Sequence, residues 1–224
     1  MVYCISDIHG EYNLFMKLLD NINFCDDDIM LVLGDMIDKG PDSVKLLKYL
    51  FSKDNIICIM GNHEYDFLKY YNGLMLKHED YDFVLEKLKS YFADGNLLDW
   101  DVIDKIEELP LYLKFEDYIC VHSGVLLDTE GNMIDLKKGK PEDFVYNRRF
   151  KDLNRPVSEK CIIFGHTPVR YINDKDDIIF YKREGKPGNK ISDYYKIHID
   201  CGVYLSNRLG CICIDSCKAY YVEE

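Results

Sequence analysis

The chain has 224 residues, and its 28 Lys and Arg stand against 40 Asp and Glu, a formal net charge of −12. An acid excess of this size argues against bulk binding of nucleic acid, which needs Lys and Arg to displace counterions from phosphates. The 47% hydrophobic and 13% aromatic content excludes a disordered chain, and the length suits a single catalytic-sized domain, residues 1–224, burying roughly 70% of its unfolded surface.

In chain order, an apolar run at Val2 to Ile5 precedes a segment from Glu11 with Leu14, Leu18 and Ile22 on one helical stripe. The pattern repeats. Ile29 to Leu33 leads through a Gly/Pro-containing loop to Val44, Leu47 and Leu50, and Ile56 to Met60 leads to Phe67 and Leu68. The spacing predicts β-α-β-α-β, hence parallel strands with right-handed crossovers. Residues 74–109 read as helical, with Phe83, Leu85, Leu88, Tyr91 and Phe92 able to face a core and Pro110 ending the segment. Seven short apolar runs follow, at Leu111 to Phe115, Tyr118 to Val121, Cys161 to Phe164, Ile178 to Tyr181, Lys196 to Ile199, Cys211 to Ile214 and Ala219 to Val222. Turn-rich pieces separate them, which predicts largely antiparallel strands. The expected class is α/β (α+β), with two packed β-sheets flanked by helices.

No apolar stretch approaches the roughly 20 residues that cross a bilayer, and the first ten residues hold an acid where a signal peptide would have its apolar core. Cys4, Cys58, Cys120 and Cys161 each sit in an apolar run, as free cysteines do. A reducing, cytoplasmic setting without membrane attachment is expected.

Five apolar runs end in loops that carry metal-binding residue types: Asp7 and His9, Asp35, Asn62 and His63, His122, and His166. In open α/β sheets the loops at the carboxyl ends of strands converge on one crevice. Carboxylates, an amide and imidazoles without a thiol suit Mn²⁺, Fe or Zn²⁺. Too many ligands for one ion with an open position, they predict two ions about 3.5 to 4 Å apart sharing a carboxylate. Cys211, Cys213 and Cys217 alternate with isoleucines and read as one face of a strand.

Asp7-Ile8-His9-Gly10, Gly34-Asp35-Met36-Ile37-Asp38-Lys39-Gly40 and Gly61-Asn62-His63-Glu64, followed by His122 and Gly165-His166-Thr167, form an ordered series. It resembles the signature of the phosphoprotein phosphatase branch of the calcineurin-like metallophosphoesterases, and most nearly the bacterial and phage lambda type. The resemblance implies that Asp7, His9 and Asp35 hold one metal, that Asp35 bridges, and that Asn62, His122 and His166 complete the second. It implies two divalent ions, manganese first and iron or zinc as alternatives. A metal-bridging hydroxide would attack phosphorus in line, with His63 as the acid that protonates the leaving oxygen and Asp38 orienting it. Substrate phosphate would meet Asn62, Lys39, where the family usually has arginine, and Arg148 of Tyr146-Asn147-Arg148-Arg149-Phe150, although Arg149 competes for that place. His198, Asp200 and Gly202 resemble a supporting segment near the site.

The expected activity is phosphomonoester hydrolysis, with a phosphorylated protein (phosphoserine or phosphothreonine, with phosphotyrosine open) or a small phosphoester as substrate. The alternatives are hydrolysis of bis(5'-nucleosyl) tetraphosphates or cyclic phosphodiesters by the same chemistry, and a phosphate-binding module without activity.

Overall fold

The computed structural model describes residues 1–78, 80–89, 91–92 and 98–224. In chain order the elements are β1 (Val2–Ile5), α1 (Tyr12–Asn21), β2 (Ile29–Val32), α2 (Ser43–Phe51), β3 (Ile56–Cys58), α3 (Asn62–Met75), α4 (Tyr81–Lys89) and α5 (Trp100–Glu107). There follow β4 (Tyr112–Lys114), β5 (Tyr118–Val121), α6 (Pro141–Val145), β6 (Cys161–Phe164), α7 (Arg170–Asn173), β7 (Ile179–Lys182), β8 (Tyr194–His198), α8 (Val203–Ser206), β9 (Arg208–Cys213) and β10 (Lys218–Glu223). The helical stretch expected over 74–109 divides into the end of α3, α4 and α5, and residues 79, 90 and 93–97 of it lie outside the described residues.

One sheet has the order β10-β9-β1-β2-β3 and the other β4-β5-β6-β8-β7. As the periodicity predicts, β1 runs parallel to β2 and β2 to β3. The second half is largely antiparallel, as expected, where β4 pairs with β5, β7 with β8 and β9 with β10, but at its centre β5 pairs parallel with β6 and β6 parallel with β8. Hairpin-like apolar runs do not reveal direction. The sign that was available is burial on both faces, the habit of parallel strands, and all four residues of β6 are buried.

Two-faced strands explain the packing. Cys4, Leu31, Leu33 and Ile59 of the first sheet meet Cys120, Cys161, Ile163 and Ile197 of the second in a shared apolar layer. The opposite face of the first sheet, with Tyr3, Ile5, Met30 and Val32, packs on the apolar stripes of α1, α2 and α3 through Phe15, Leu18, Leu47 and Phe67. Strand alternation divides β9 the same way. Cys211 and Cys213 join the helix-side cluster while Ile212 joins the inter-sheet layer, and all nine cysteines are free. Among the described residues no helix is long and apolar enough to cross a membrane.

Candidate active site

Because β1, β2 and β3 are parallel with one another, as are β5, β6 and β8, each set delivers its trailing loops to one edge. The β1 and β2 loops continue side by side beyond the sheet, with the amides of Asp7, His9 and Gly10 donating to the carbonyls of Gly34, Asp35 and Met36 at 3.1, 2.9 and 2.7 Å. In the second sheet the Gly165 amide donates to the His122 carbonyl at 2.8 Å. Glycine is required where loops touch. A Cβ on Gly61 would overlap the Asp35 amide and carboxylate, and one on Gly165 would overlap Ser6 Oγ and Asp7 Oδ2. Asp7, His9, Asp35, Asp38, Lys39 and His166 all adopt left-handed backbone, φ +50 to +72°, a costly conformation of the kind that gathers at functional sites.

Two groups of side chains meet there, and Asp35 belongs to both. In the first, Asp35 Oδ1 lies 3.4 Å from His122 Nε2. His122 Nε2 is 3.1 Å from His166 Nδ1 and 3.2 Å from Asn62 Oδ1, and His166 Nδ1 is 2.7 Å from that same amide oxygen. In the second, Asp35 Oδ2 lies 3.9 Å from His9 Nε2 and 3.8 Å from His63 Nε2. The rings are aimed by backbone carbonyls: His9 Nδ1 bonds Ile37 O at 2.9 Å and His122 Nδ1 bonds Leu33 O at 2.7 Å, which leaves each Nε2 facing the site.

Asp7 stands beside these groups in a different contact. Its Oδ2 accepts from the His166 amide at 2.9 Å and from Ser6 Oγ, while His63 joins His9 and Asp35 in the second group. Burial raises the Asp7 carboxyl to about 6, with Asp35 adding to the rise and His122 opposing it. Burial would also raise Asp35, but His122, His9 and His63 overturn that and hold it well below the ordinary carboxylate range. Burial would lower His122, yet Asp35 and then Asp7 raise it to about 10. His9 is pushed down to about 4, first by burial.

Of the catalytic pair, His63 Nδ1 donates to Asp38 Oδ2 at 2.6 Å, and the His63 amide donates to Asp35 Oδ1 at 3.0 Å, so the carboxylate caps the start of α3. Burial lowers the His63 imidazole, but the Asp38 bond and Asp35 outweigh it and the net shift is upward. Of the cationic residues, Lys39 Nζ donates to His9 Nε2 at 2.9 Å. Arg148 and Arg149 are both exposed, and His166 is lowered to about 3 by burial first and then by His122, with Arg148 adding to the fall.

Sequence reasoning passed over Glu64. Fully buried, it accepts from the amides of Gly61, Asp35, Met36 and Ile37 at 2.9, 2.8, 2.7 and 3.2 Å, fastening the β2 and β3 loops together. Its signal was its place three residues after Gly61, the spacing of a helix-capping glutamate. Asp200 is fully buried and accepts from the Gly202 amide at 2.7 Å, the supporting place expected of that segment.

The family model for calcineurin-like phosphoesterases matches residues 1–192. The chain belongs to this family. Among relatives of the phosphoesterase, symmetrical bis(5'-nucleosyl)-tetraphosphatase of Nitrosomonas europaea is 28% identical over 169 residues, 74% of this chain and 58% of the relative. The enzyme of the same name from Wigglesworthia glossinidia brevipalpis is 44% identical over 81 residues, 35% of this chain and 30% of the relative. The phosphoesterase thus spans less than two thirds of the length of these relatives. A solved structure provisionally named a diadenosine tetraphosphatase superposes with a TM-score of 0.69 at 18% identity, covering 99% of this chain and 92% of that one, and shows the common fold: two mixed sheets flanked by helices. The family implies divalent metal ions, and the donor set fits them. Carboxylate, imidazole and amide oxygen converge without a thiol, and His122 Nε2, His166 Nδ1 and Asn62 Oδ1 lie within 3.2 Å of one another, closer than three acceptors rest without a cation or proton between them.

Proposed function

We propose that this phosphoesterase hydrolyses bis(5'-nucleosyl) tetraphosphates, the alternative that the sequence left open, in place of the phosphoprotein expected first. The observation that carries the reading is the tetraphosphatase name borne by the relatives, together with the loops that converge on Asp35. We take Asn62, His122 and His166 with Asp35 as one metal position and His9 with Asp35, beside Asp7, as the other, loaded with manganese or, failing that, iron or zinc. Two such ions supply a hydroxide at neutral pH and charge for the phosphoryl oxygens.

The protein's own residues do the rest. His63, its Nδ1 held by Asp38, presents Nε2 to the site and donates a proton to the oxygen that leaves. Asp38 fixes the tautomer and favours the imidazolium, and the net shift of the ring is upward. Arg148, exposed at the His166 side, and Lys39, at the His9 side, flank the position of a polyphosphate from opposite ends. Water attacks phosphorus at the central bridging P–O–P bond, that bond breaks, its oxygen leaves on one half and the water oxygen stays on the other, and two nucleoside diphosphates leave.

The test is a substrate panel on protein stripped of metal and reloaded with Mn²⁺, Fe²⁺, Co²⁺ or Zn²⁺ in turn. Diadenosine tetraphosphate should be turned over to ADP faster than a phosphoserine peptide, and a cyclic diester should be slowest. Preference for the phosphopeptide would reinstate the protein phosphatase reading, and no turnover with any metal would favour a binding module.

A further inference from the structure

Beside His9 the rim of the site turns from polar to apolar. Tyr204 and Leu205, on α8 after β8, are 40% and 39% exposed, and Tyr171 and Ile172, on α7 after β6, are 63% and 38% exposed. The two loops are tied together: the Val169 amide donates to the Asp200 carbonyl at 2.9 Å, and a Cβ on Gly202 would come 2.9 Å from Pro168 Cβ. The patch is therefore held rigidly, and it is continuous with the site. Tyr204 stands edge-to-face with His9, ring centroids 5.6 Å apart and planes at 89°, and Lys39 Nζ lies 3.8 Å from the Tyr204 ring centre. One ammonium thus touches both the aromatic rim and the histidine of the proposed metal position. Tyr171 is a near neighbour of Tyr204, and its ring is the more exposed of the two.

Exposed aromatic rings next to a polar site have few uses that account for both their openness and their fixed position. Flat heteroaromatic ligands stack on such rings whatever their base-edge pattern, and a cation between ring and site suits a ligand whose ring is joined to phosphate. We propose that Tyr171 and Tyr204 form the stacking platform for a nucleobase of the substrate, with Lys39 linking that platform to the phosphate chain. The inference rests on the dinucleoside polyphosphate reading above and assigns its specificity to residues that are not themselves metal ligands. Tyr171 offers the open ring surface. Tyr204 ties that surface to Lys39 and His9.

Binding to the manganese-loaded protein tests this by calorimetry, with ADP and inorganic pyrophosphate as probes that share phosphates and differ in the nucleoside. Wild-type protein should hold ADP more tightly than pyrophosphate. Tyr171→Ala should shrink that preference by roughly 5- to 100-fold, the range of one stacked base. Tyr204→Leu, which keeps apolar bulk, should do the same, and Tyr171→Phe and Tyr204→Phe should restore it. In turnover of diadenosine tetraphosphate, KM should rise more than kcat falls. If wild type cleaves the dinucleotide while neither Tyr171→Ala nor Tyr204→Leu moves the ADP-to-pyrophosphate ratio, the platform is refuted and the activity stands. If wild type cleaves a phosphopeptide and not the dinucleotide, the activity reading falls and takes the platform with it.

Discussion

His122 and His166, with part-exposed Asn62, meet Asp35 on a side closed around the fully buried His122, whereas buried His9 and part-exposed His63 meet the same carboxylate on the side that opens through His63 and Asp38. The His122 side chain is fully buried and that of His63 is 23% exposed. The closed side is assembled from loops of both sheets and pinned by backbone contacts, the Leu33 carbonyl on His122 and the Asp7 carboxylate on the His166 amide. The open side carries the groups that exchange protons or meet substrate: His63 with Asp38, and Lys39 on Tyr204. The difference separates two tasks. Burial raises the cost of misplacing a ligand, so the closed side orders charge, and the open side remains free to work on what arrives.

The comparison can be broken first at His63. His63→Asn should lower kcat on an alkyl phosphate about 10²- to 10⁴-fold, the usual worth of a proton donor. On diadenosine tetraphosphate the loss should be smaller, because phosphate with a second pKa near about 6 leaves without the help that an alkoxide needs. Steady-state kinetics on both substrates decides this, and equal losses would remove His63 from the acid role.

Glu64 probes the closed side without touching chemistry. Glu64→Ala strands four buried amides, an effect of about 3 kcal/mol, which for a chain of this size is roughly 6–12 °C in Tm. Thermal unfolding of metal-free protein measures it. An unchanged Tm would show that the two loops hold without their clasp. At the His166 end, Arg148→Ala should raise KM for the polyphosphate about tenfold, the worth of one charged hydrogen bond. Arg149→Ala should change KM little, and the reverse order would exchange their roles.

Protons on the closed side should also be seen. Asp35 and Asp7 hold the His122 imidazolium well above its ordinary range, so the metal-free protein carries that proton at neutral pH. A metal needs the neutral ring, and binding must release the proton. Affinity should therefore rise with pH, by about tenfold per unit for one proton, as competition titrations with a chelator at pH 6, 7 and 8 would show. A flat profile would mean that His122 holds no proton in the metal-free protein or is not a ligand.

Much of this was legible in the sequence, and what was hidden has physical causes. Short apolar runs ending in Asp, His and Asn mark strands and the edge where their loops meet, and periodicity places α1, α2 and α3 on one face. Direction is not written in a four-residue run, so the parallel pairing of β5, β6 and β8 at the centre of a largely antiparallel half was not foreseen. The ligand types were visible, but the proximity of His63 to Asp35 and the turn of Asp7 towards Ser6 and His166 depend on side-chain geometry that spacing does not encode. Lys39 was readable as a cation near phosphate and not as one resting on an aromatic ring, because Tyr204 lies far along the chain. Glu64 has no role in the sequence reading beyond its place after Gly61-Asn62-His63, and only the fold shows it binding a second loop.

The claim on which the rest depends is that the closed and open groups hold two metal ions through one shared carboxylate. Electron paramagnetic resonance of the protein titrated with Mn²⁺ tests it most directly. The account predicts that the six-line signal of an isolated ion gives way, as a second equivalent binds, to the broad multiline spectrum of an exchange-coupled pair, and that Asp35→Asn abolishes the coupling. Saturation at one ion per chain, or two ions with only isolated six-line spectra, would contradict it.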